Sequence, residues 1–468
     1  MPRLMRCLYC GLLQDEPEGV KTCPRCGGEL VFEERPPADP AGSYVEAQME
    51  LDQVTAPGGR TVDRYLLVTL RTPAQIPAEH AAPTETGRPP LSLTAVLDVS
   101  GSMRGQKIAQ AKEAVRQAVR RLHDGDVFSL VTFATEVTSV LEPVAIDSQM
   151  RKVVESTLQE IDAGGRTALC GGLELGIAKA QLRQQESNLV LLLSDGQANV
   201  GETDLEAIGH RAFQARQEGL TVSTVGVGTD YNEALMAEIA SQGGGRFYHV
   251  LKADQIAAVM AGEVGEVASL AARDAELHLT LPAGATVFPL SAAYPAQQGE
   301  GKATVSLGDV PIDLELEVTL RVTLPGQPAA SRQRIEGELV YRSPAGSRLS
   351  TPLNRVTVRF VAPGEFSLRD GVVAPVAKRV LGQMRAANVL GVARAMATDA
   401  KEGTRQASVG LASLREYAAR LGEEEAMEET QAMEDEFAAL RSAPVAAKAA
   451  VAKAHARQRS TRKFDEHA

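Results

Sequence analysis

The middle of the chain alternates between short continuous apolar runs and helical stripes. Runs such as Leu91–Leu97 and Leu189–Leu193 are typical of strands that are buried on both faces. Apolar residues spaced three and four apart, as between Ile108 and Leu122, predict amphipathic helices. Val127–Phe133 and Val137–Leu141 are separated by only three residues and predict an antiparallel hairpin. The alternation predicts a Rossmann-like, α/β doubly wound sheet, mostly parallel, with one antiparallel edge.

Residues 43–71 and 274–362 show a different pattern, in which apolar and polar residues alternate one by one. The alternation is clear from Val45 to Leu51 and from Ile312 to Leu324. This period predicts strands with one buried face and one solvated face. Because Gly and Pro residues separate the strands, we predict a β-sandwich over 274–362 that takes further strands from 43–71. The α/β segment would then be an insertion in that sandwich.

The C-terminal part of the chain has helical periodicity. An apolar stripe with a spacing of four residues runs from Val372 to Met384, and residues 369–442 are predicted to be helical. Residues 443–468 are Ala-rich, and from Pro444 onward they carry six Lys or Arg against two acids. We expect a basic, disordered tail there.

The composition of the 468 residues excludes several classes of protein. A net charge of -11 opposes binding to bulk nucleic acid or to anionic membranes, and the 4% of aromatic residues leaves few platforms for stacked bases. No apolar run of about 18 residues occurs, so no membrane span is predicted. The first ten residues lack the apolar core of a signal peptide, and a cytoplasmic location is expected.

Four cysteines lie in two CxxC pairs near the start of the chain. They are Cys7, Cys10, Cys23 and Cys26. Two such pairs can place four thiolates around one tetrahedral Zn²⁺, whereas a pair of disulfides would imply secretion. Without a predicted signal peptide zinc is favoured, and residues 1–34 resemble a zinc ribbon. Six acids against four basic residues disfavour a phosphate-binding surface on it. The fifth cysteine, Cys170, is expected to be a small buried apolar residue.

Oxygen-bearing side chains follow the ends of predicted strands. The first strand of the α/β segment leads into Asp98, Ser100 and Ser102, and the LVLLL strand leads into Asp195. Ligand sites of doubly wound sheets lie at the carboxyl ends of the strands, so these side chains are expected to meet. Thr167 follows a pair of glycines and opens a predicted helix, which would add another hydroxyl. Such a set of oxygens suits a hard divalent cation.

Other motifs that could account for these residues do not fit. An EF-hand loop would need Gly where Met103 stands and Glu where Ala109 stands. The sequence contains no GxxxxGK[ST] and no GxGxxG after the first strand, which disfavours a nucleotide site. A metal-assisted hydrolase needs a base beside the metal, but the seven histidines are scattered along the chain.

AVLDVSGSMRGQKIAQAKEAV, GGRTAL and LLLSDGQANVG occur in this order and resemble the von Willebrand factor type A (VWA) domain with its metal-ion-dependent adhesion site. The resemblance covers about residues 91–265. It implies that the hydroxyls of Ser100, Ser102 and Thr167 bind the metal directly, and that Asp98 and Asp195 act mainly through water. Strands on both sides of this segment are similar in plan to bacterial relatives of inter-alpha-trypsin-inhibitor heavy chains.

Arg166, directly before Thr167, departs from the Gly or Thr that the family usually has there, and would narrow the range of partners or form a salt bridge. Neutral hydroxyl ligands leave the charge of a cation poorly quenched, so an anionic sixth ligand is favoured. We therefore predict a non-enzymatic adaptor that holds Mg²⁺ or Mn²⁺ and captures a Glu or Asp of a protein partner. The alternatives are a zinc-ribbon protein associated with nucleic acid and a metal-assisted hydrolase.

Overall fold

The computed structural model describes most of the chain, and every structural statement below concerns the described residues. The described residues are 3–7, 13–16, 19–22, 30–32, 42–81, 89–195, 198–228, 231–250, 264–265, 269–442 and 444–458.

A small antiparallel sheet lies at the start of the chain. Its strands are β1 (Arg3–Cys7), β2 (Leu13–Glu16) and β3 (Leu30–Phe32), and β1 pairs with both of the others. Cys7 ends β1, whereas Cys10, Cys23 and Cys26 lie outside the described residues. The zinc ribbon therefore stays a prediction.

The strands that precede the α/β segment are β4 (Glu46–Leu51), β5 (Thr55–Pro57) and β6 (Val62–Arg71). A short 3₁₀ helix at Ala78–His80 follows them. The middle of β6 is buried on both of its faces. It is therefore a central strand, covered on each side by another layer of the protein.

The α/β segment alternates strands and helices. Its elements are β7 (Leu91–Asp98), a 3₁₀ helix (Gly101–Met103), α1 (Gln106–Arg121), β8 (Val127–Phe133), β9 (Val137–Ala145), α2 (Ser148–Glu160), α3 (Leu169–Leu182), β10 (Ser187–Ser194), α4 (Leu205–Gln217), β11 (Thr221–Val227), α5 (Glu233–Gln242) and β12 (Gly244–Val250).

These strands form one sheet in the order β12-β11-β10-β7-β8-β9, parallel except for the edge strand β9. The predicted doubly wound sheet is confirmed. Every residue of β7, β8 and β10 is buried, as expected for strands covered by helices on both faces. The chain adds strands on one side of β7 up to β9 and then on the other side from β10 onward. The switch point of the sheet therefore lies between β7 and β10.

Further strands follow the α/β segment. They are β13 (Leu270–Thr280), β14 (Thr286–Pro289), β15 (Ala296–Gly299), β16 (Lys302–Pro311), β17 (Glu315–Leu324), β18 (Arg332–Arg342), β19 (Arg348–Pro352) and β20 (Val356–Val361).

One additional sheet has the order β15-β16-β13-β18-β20-β5, with β19 also on β18, and another has the order β14-β17-β6-β4. β17 pairs with β6 in antiparallel register from Glu315 opposite Arg71 to Leu324 opposite Val62. Buried residues of both sheets, such as Leu66 and Leu339, belong to one hydrophobic cluster. Strands from either side of the α/β segment thus build a common core.

The C-terminal helices are α6 (Ala374–Thr398), α7 (Ala400–Ala418), α8 (Glu423–Ser442) and α9 (Pro444–Gln458). Tyr65 and Leu67 of β6 point away from the sheet core and pack in a cluster with helix residues such as Val380 and Leu414. The helices therefore cover the outer face of β6. None of the described helices is both long and apolar enough to cross a lipid bilayer.

The expectation of a disordered tail is wrong for residues 444–458, which form α9. Val451 is buried in a hydrophobic cluster of the α/β segment. The buried Lys448 forms an ion pair with Glu233 at the start of α5, at 2.9 Å, and its Nζ lies 4.8 Å from the centre of the Tyr231 ring. The positive charge of Lys448, which made this segment resemble a solvated tail, is thus compensated by Glu233, which is distant in sequence. Residues 459–468 lie outside the described residues.

Candidate metal centre

The carboxyl ends of β7 and β10 meet at the switch point of the sheet. Leu97 lies opposite Leu193 in the parallel register, so the next residues, Asp98 and Ser194, are neighbours. The Ser194 hydroxyl donates a hydrogen bond of 2.6 Å to Oδ2 of Asp98. Asp195 follows directly, which brings both predicted carboxylates to the same edge of the sheet. Sequence reasoning did not single out Ser194, whose role depends on strand register.

The first loop, after β7, presents two hydroxyl groups. The Ser100 N–H donates to Oδ1 of Asp98 at 2.9 Å, which curls the loop back over the end of the strand. The hydroxyl oxygens of Ser100 and Ser102 are then 3.0 Å apart. Ser100 is buried and Ser102 is exposed, while Met103 anchors the loop in the core. The two hydroxyls therefore meet at a position between the protein interior and solvent.

The second loop carries Thr167 and is fastened to the first by backbone hydrogen bonds. Gly101 donates to the Gly165 carbonyl at 2.9 Å, and Gly164 donates to the Val99 carbonyl at 2.7 Å. Gly165 has a φ of +86°, and a Cβ there would lie 2.9 Å from Oγ1 of Thr135. Only glycine fits this approach. The glycine pair thus allows the Thr167 loop to lie against the serine loop.

The third loop follows β10 and contains Asn199, which holds Thr167 in place. Its Oδ1 accepts from the Thr167 N–H at 2.8 Å, and its own N–H donates to the Thr167 carbonyl at 3.0 Å. Arg166 is exposed, and its Nη2 donates to the Asn199 carbonyl at 3.0 Å, so this departure from the family pattern braces the two loops. Asn199 was missed at the sequence level. Its position in LLLSDGQANVG, four residues after Asp195, is the signal that could have found it.

Asp98 and Asp195 are both 0% exposed and lie close enough to repel each other. Burial raises the pKa of Asp98; hydrogen bonds from Ser194 and Ser100 oppose the rise, and the Asp195 carboxylate adds to it. Oδ2 of Asp195 contacts Nζ of Lys107 at 3.3 Å. Within the described part of the chain, Oδ1 of Asp195 has no hydrogen-bond partner. A buried carboxylate oxygen of this kind is costly unless something binds it.

The donor set fits a hard divalent cation. Hydroxyl and carboxylate oxygens are the ligands that Mg²⁺ and Mn²⁺ prefer, and a cation would relieve the repulsion between two buried carboxylates. No group of three His, Cys, Asp or Glu side chains that could hold a metal is present among the described residues. The oxygen donors that the described residues bring to this edge also include the hydroxyls of Ser100 and Ser102.

The remaining cysteine of the described chain lies three residues after Thr167, in the helix that follows the second loop. Cys170, in the first turn of α3, is buried as expected. Burial raises the pKa of its thiol to about 11. The thiol therefore stays protonated near neutral pH and serves as a packing group.

Comparison with known proteins agrees with this geometry. Residues 92–261 match the sequence profile of the von Willebrand factor type A domain. The uncharacterized protein YfbK of Escherichia coli is 27% identical over 251 residues, which cover 52% of this chain and 43% of YfbK. Inter-alpha-trypsin inhibitor heavy chain H1 of Mesocricetus auratus is 28% identical over 194 residues, which cover 40% of this chain and 21% of the relative. The matches thus span less than half of either relative.

Among solved structures, a von Willebrand factor type A protein from Catenulispora acidiphila superposes with a TM-score of 0.61 at 20% identity. The superposition covers 90% of this chain and 98% of the other. This likeness extends the shared fold beyond the α/β segment, to the additional sheets and the C-terminal helices. Residues 92–261 of this chain therefore form a von Willebrand factor type A domain.

Proposed function

We propose that this chain is a metal-dependent protein-binding adaptor and not an enzyme. In this proposal the hydroxyls of Ser100, Ser102 and Thr167 hold Mg²⁺ or Mn²⁺ directly, while Asp98 and Asp195 act mainly through water. A Glu or Asp side chain of a protein partner completes the coordination of the cation. The bound cation supplies electrostatic attraction for that carboxylate, and the loops of the chain supply its position.

The observation that carries the proposal is the unsatisfied Oδ1 of Asp195, which follows the strand next to the one that leads into the paired hydroxyls of Ser100 and Ser102. The chain fastens three loops together with backbone and side-chain hydrogen bonds and still leaves a buried carboxylate oxygen without a donor. A site that served only folding would be expected to close this position with an internal partner. Ser102 is exposed, so a partner can approach its hydroxyl from solvent.

Several features outside the VWA domain complete the proposal. We assign residues 1–34 to a zinc ribbon that holds Zn²⁺ on the four paired cysteines. We also propose a cytoplasmic location, where thiolates stay reduced. The proposed VWA unit is 91–265, and a β-sandwich of 274–362 takes strands from 43–71. The shared hydrophobic cluster of the two additional sheets supports the sandwich. The helical region 369–442 is extended by α9.

The proposal is tested first by metal binding. Isothermal titration of the full chain with Mn²⁺ and Mg²⁺ should give one site that disappears in Asp98→Ala, in addition to any Zn²⁺ held by the cysteines. The partner is then sought by affinity capture from the cells that produce the protein, with Mg²⁺ and with EDTA. We expect a partner whose retention needs Mg²⁺ and is lost with Asp98→Ala.

A control variant distinguishes specific binding of the partner from nonspecific binding. Asp162→Ala removes an exposed carboxylate that lies near these loops in sequence and should retain the partner. Undiminished capture in EDTA and in Asp98→Ala would show that any partner binds elsewhere. Absence of Mn²⁺ and Mg²⁺ binding by the native chain would reject the metal centre itself.

A further inference from the structure

Lys107 places a positive charge inside the candidate metal centre. It is the second residue of α1, directly after the serine loop. Its Nζ lies 3.3 Å from Oδ2 of Asp195, its side chain is 18% exposed, and Asp195 is fully buried. The ammonium group of Lys107 therefore forms a shielded ion pair with this carboxylate.

The lysine is fitted into the fold at this position. Gly228, directly after β11, has a φ of +91°, and a Cβ there would lie 2.7 Å from Cε of Lys107. A larger residue at 228 would therefore push the side chain away from Asp195. The neighbouring loop is fixed as well, because the Asn232 N–H donates to the Asp195 carbonyl at 3.1 Å. The ion pair is thus built by two loops and α1 together.

The two carboxylate oxygens of Asp195 have different surroundings. Oδ2 faces the ammonium group, whereas Oδ1 has no hydrogen-bond partner among the described residues. Lys107 contributes a positive charge against the two negative charges of Asp98 and Asp195 when both are ionised. A divalent cation adds two positive charges, so the loaded centre is more positive with Lys107 than without it.

We propose that Lys107 sets the charge balance of the centre, so that it weakens the hold on the cation and strengthens the hold on an acidic ligand. This inference rests on the function proposed above and adds a determinant of its specificity. Without Lys107 the cation alone would neutralise the two aspartates, and a further carboxylate would gain little. With Lys107 the loaded centre is cationic and selects an anion. The same side chain thus affects the two binding steps in opposite directions.

The first test measures the metal alone. Isothermal titration with Mn²⁺ compares the native chain with Lys107→Met, Lys107→Arg and Lys152→Met, the last of which removes an exposed lysine on α2. We expect Lys107→Met to bind Mn²⁺ about tenfold more tightly, because a like charge several ångströms away is removed. Lys107→Arg and Lys152→Met should stay near the native affinity. Thermal unfolding of each metal-free variant checks that the chain is folded.

The second test measures the anion. Sodium acetate is titrated into the Mn²⁺-loaded chain, and displacement of metal-bound water is followed by the relaxation rate of water protons. We expect acetate to displace water from the native chain at a several-fold lower concentration than from Lys107→Met. If Lys107 only positions Asp195, Lys107→Met will bind Mn²⁺ more weakly.

Weaker or unchanged Mn²⁺ binding by Lys107→Met overturns the inference about Lys107 and leaves the proposed function standing. Equal acetate concentrations for the native chain and Lys107→Met also overturn the inference. Failure of the native chain to bind Mn²⁺ overturns the proposed function instead.

Discussion

The candidate metal centre and the ion pair of Asp52 with Arg420 both bury a carboxylate, but they satisfy it differently. Oδ1 of Asp52 accepts from the Tyr65 N–H at 2.8 Å, and Oδ2 accepts from Nη1 of Arg420 at 3.0 Å. The guanidinium carbon of Arg420 also lies 4.8 Å from the centre of the Tyr417 ring. Each oxygen of Asp52 thus has a donor from the same chain. At the metal centre, Oδ1 of Asp195 has no such donor in the described structure.

The difference distinguishes a carboxylate that joins two layers from one that serves binding. Asp52 follows β4, and Arg420 lies between α7 and α8, so their ion pair ties the sheet to the helices that cover it. Both oxygens of the Asp52 carboxylate are therefore occupied by donors of the same chain. Asp98 and Asp195 repel each other, and one oxygen of Asp195 has no donor in the described structure. In the proposed function, a bound cation would recover that cost.

The largest expected effect is on the ion pair of Asp52 with Arg420, which we call the closed centre because both oxygens of its carboxylate have donors from the same chain. Arg420→Met removes the cation that contacts the buried Asp52 carboxylate and leaves it only the electrostatic attraction of Arg64. Loss of one member of a buried pair destabilises a fold by about 3–5 kcal/mol. Urea denaturation should show this loss in the free energy of unfolding, while the Mn²⁺ affinity of the folded variant stays native. Arg415→Met is the matched control, because Arg415 is an exposed arginine of α7 and should change stability by less than about 0.5 kcal/mol. Equal effects of both variants would mean that Asp52 is not a closed centre.

The candidate metal centre, which we call the open centre, should show the reverse behaviour: a substitution there should affect metal affinity more than stability. Asp98→Ala removes one of two repelling carboxylates but also the acceptor of the Ser194 and Ser100 hydrogen bonds, so the metal-free chain should lose less stability than with Arg420→Met. Its affinity for Mn²⁺ should fall by about 100-fold. EDTA should lower the melting temperature of the native chain when Mg²⁺ is present and leave that of Asp98→Ala unchanged. Asp162→Ala should respond to EDTA like the native chain. A large loss of metal-free stability in Asp98→Ala would make this centre structural.

The parts of the molecule with a local sequence signal were predictable. The buried strands Leu91–Leu97 and Leu189–Leu193 stand out because parallel strands covered on both faces need continuous apolar runs. Asp98 and Asp195 follow these strands directly, and strand ends meet at one edge of a doubly wound sheet. Their convergence therefore follows from chain order together with the sheet rule.

The parts that depend on tertiary contacts were missed. The Ala-rich, basic α9 resembles a solvated tail until Lys448 is seen beside Glu233, 215 residues away. The roles of Lys107 and Asn199 likewise depend on which loops become neighbours. The sequence does not show which group will pair with a given charged or amide side chain in the folded chain. Composition alone therefore misjudged the segment in which compensation comes from distant residues.

Asn199 offers a finer test of the open centre. Asn199→Ala removes the acceptor for the Thr167 N–H without touching a proposed ligand, so the affinity for Mn²⁺ should fall by about tenfold. Asn199→Asp keeps an acceptor oxygen at this position and should bind Mn²⁺ at least as tightly as the native chain. Isothermal titration of the two variants measures the difference. Equal weakening by both would show that the amide group, and not the acceptor, is needed.

The smallest expected effect is a pH dependence that arises at His249, in β12 of the α/β segment. Nδ1 of His249 lies 2.6 Å from the Tyr231 hydroxyl. Burial lowers the pKa of His249, the positive charge of Lys448 lowers it further, and Glu233 opposes the change. Because the unfolded chain then binds the proton more readily, folding stability should fall as the pH drops below about 6.5, the ordinary pKa of histidine, toward the lowered value.

Urea midpoints measured between pH 8 and pH 5.5 isolate this contribution when the native chain is compared with His249→Gln, since the other histidines are common to both. The native chain should lose more stability on acidification than His249→Gln. Parallel curves for the two chains would show that His249 contributes no pH dependence.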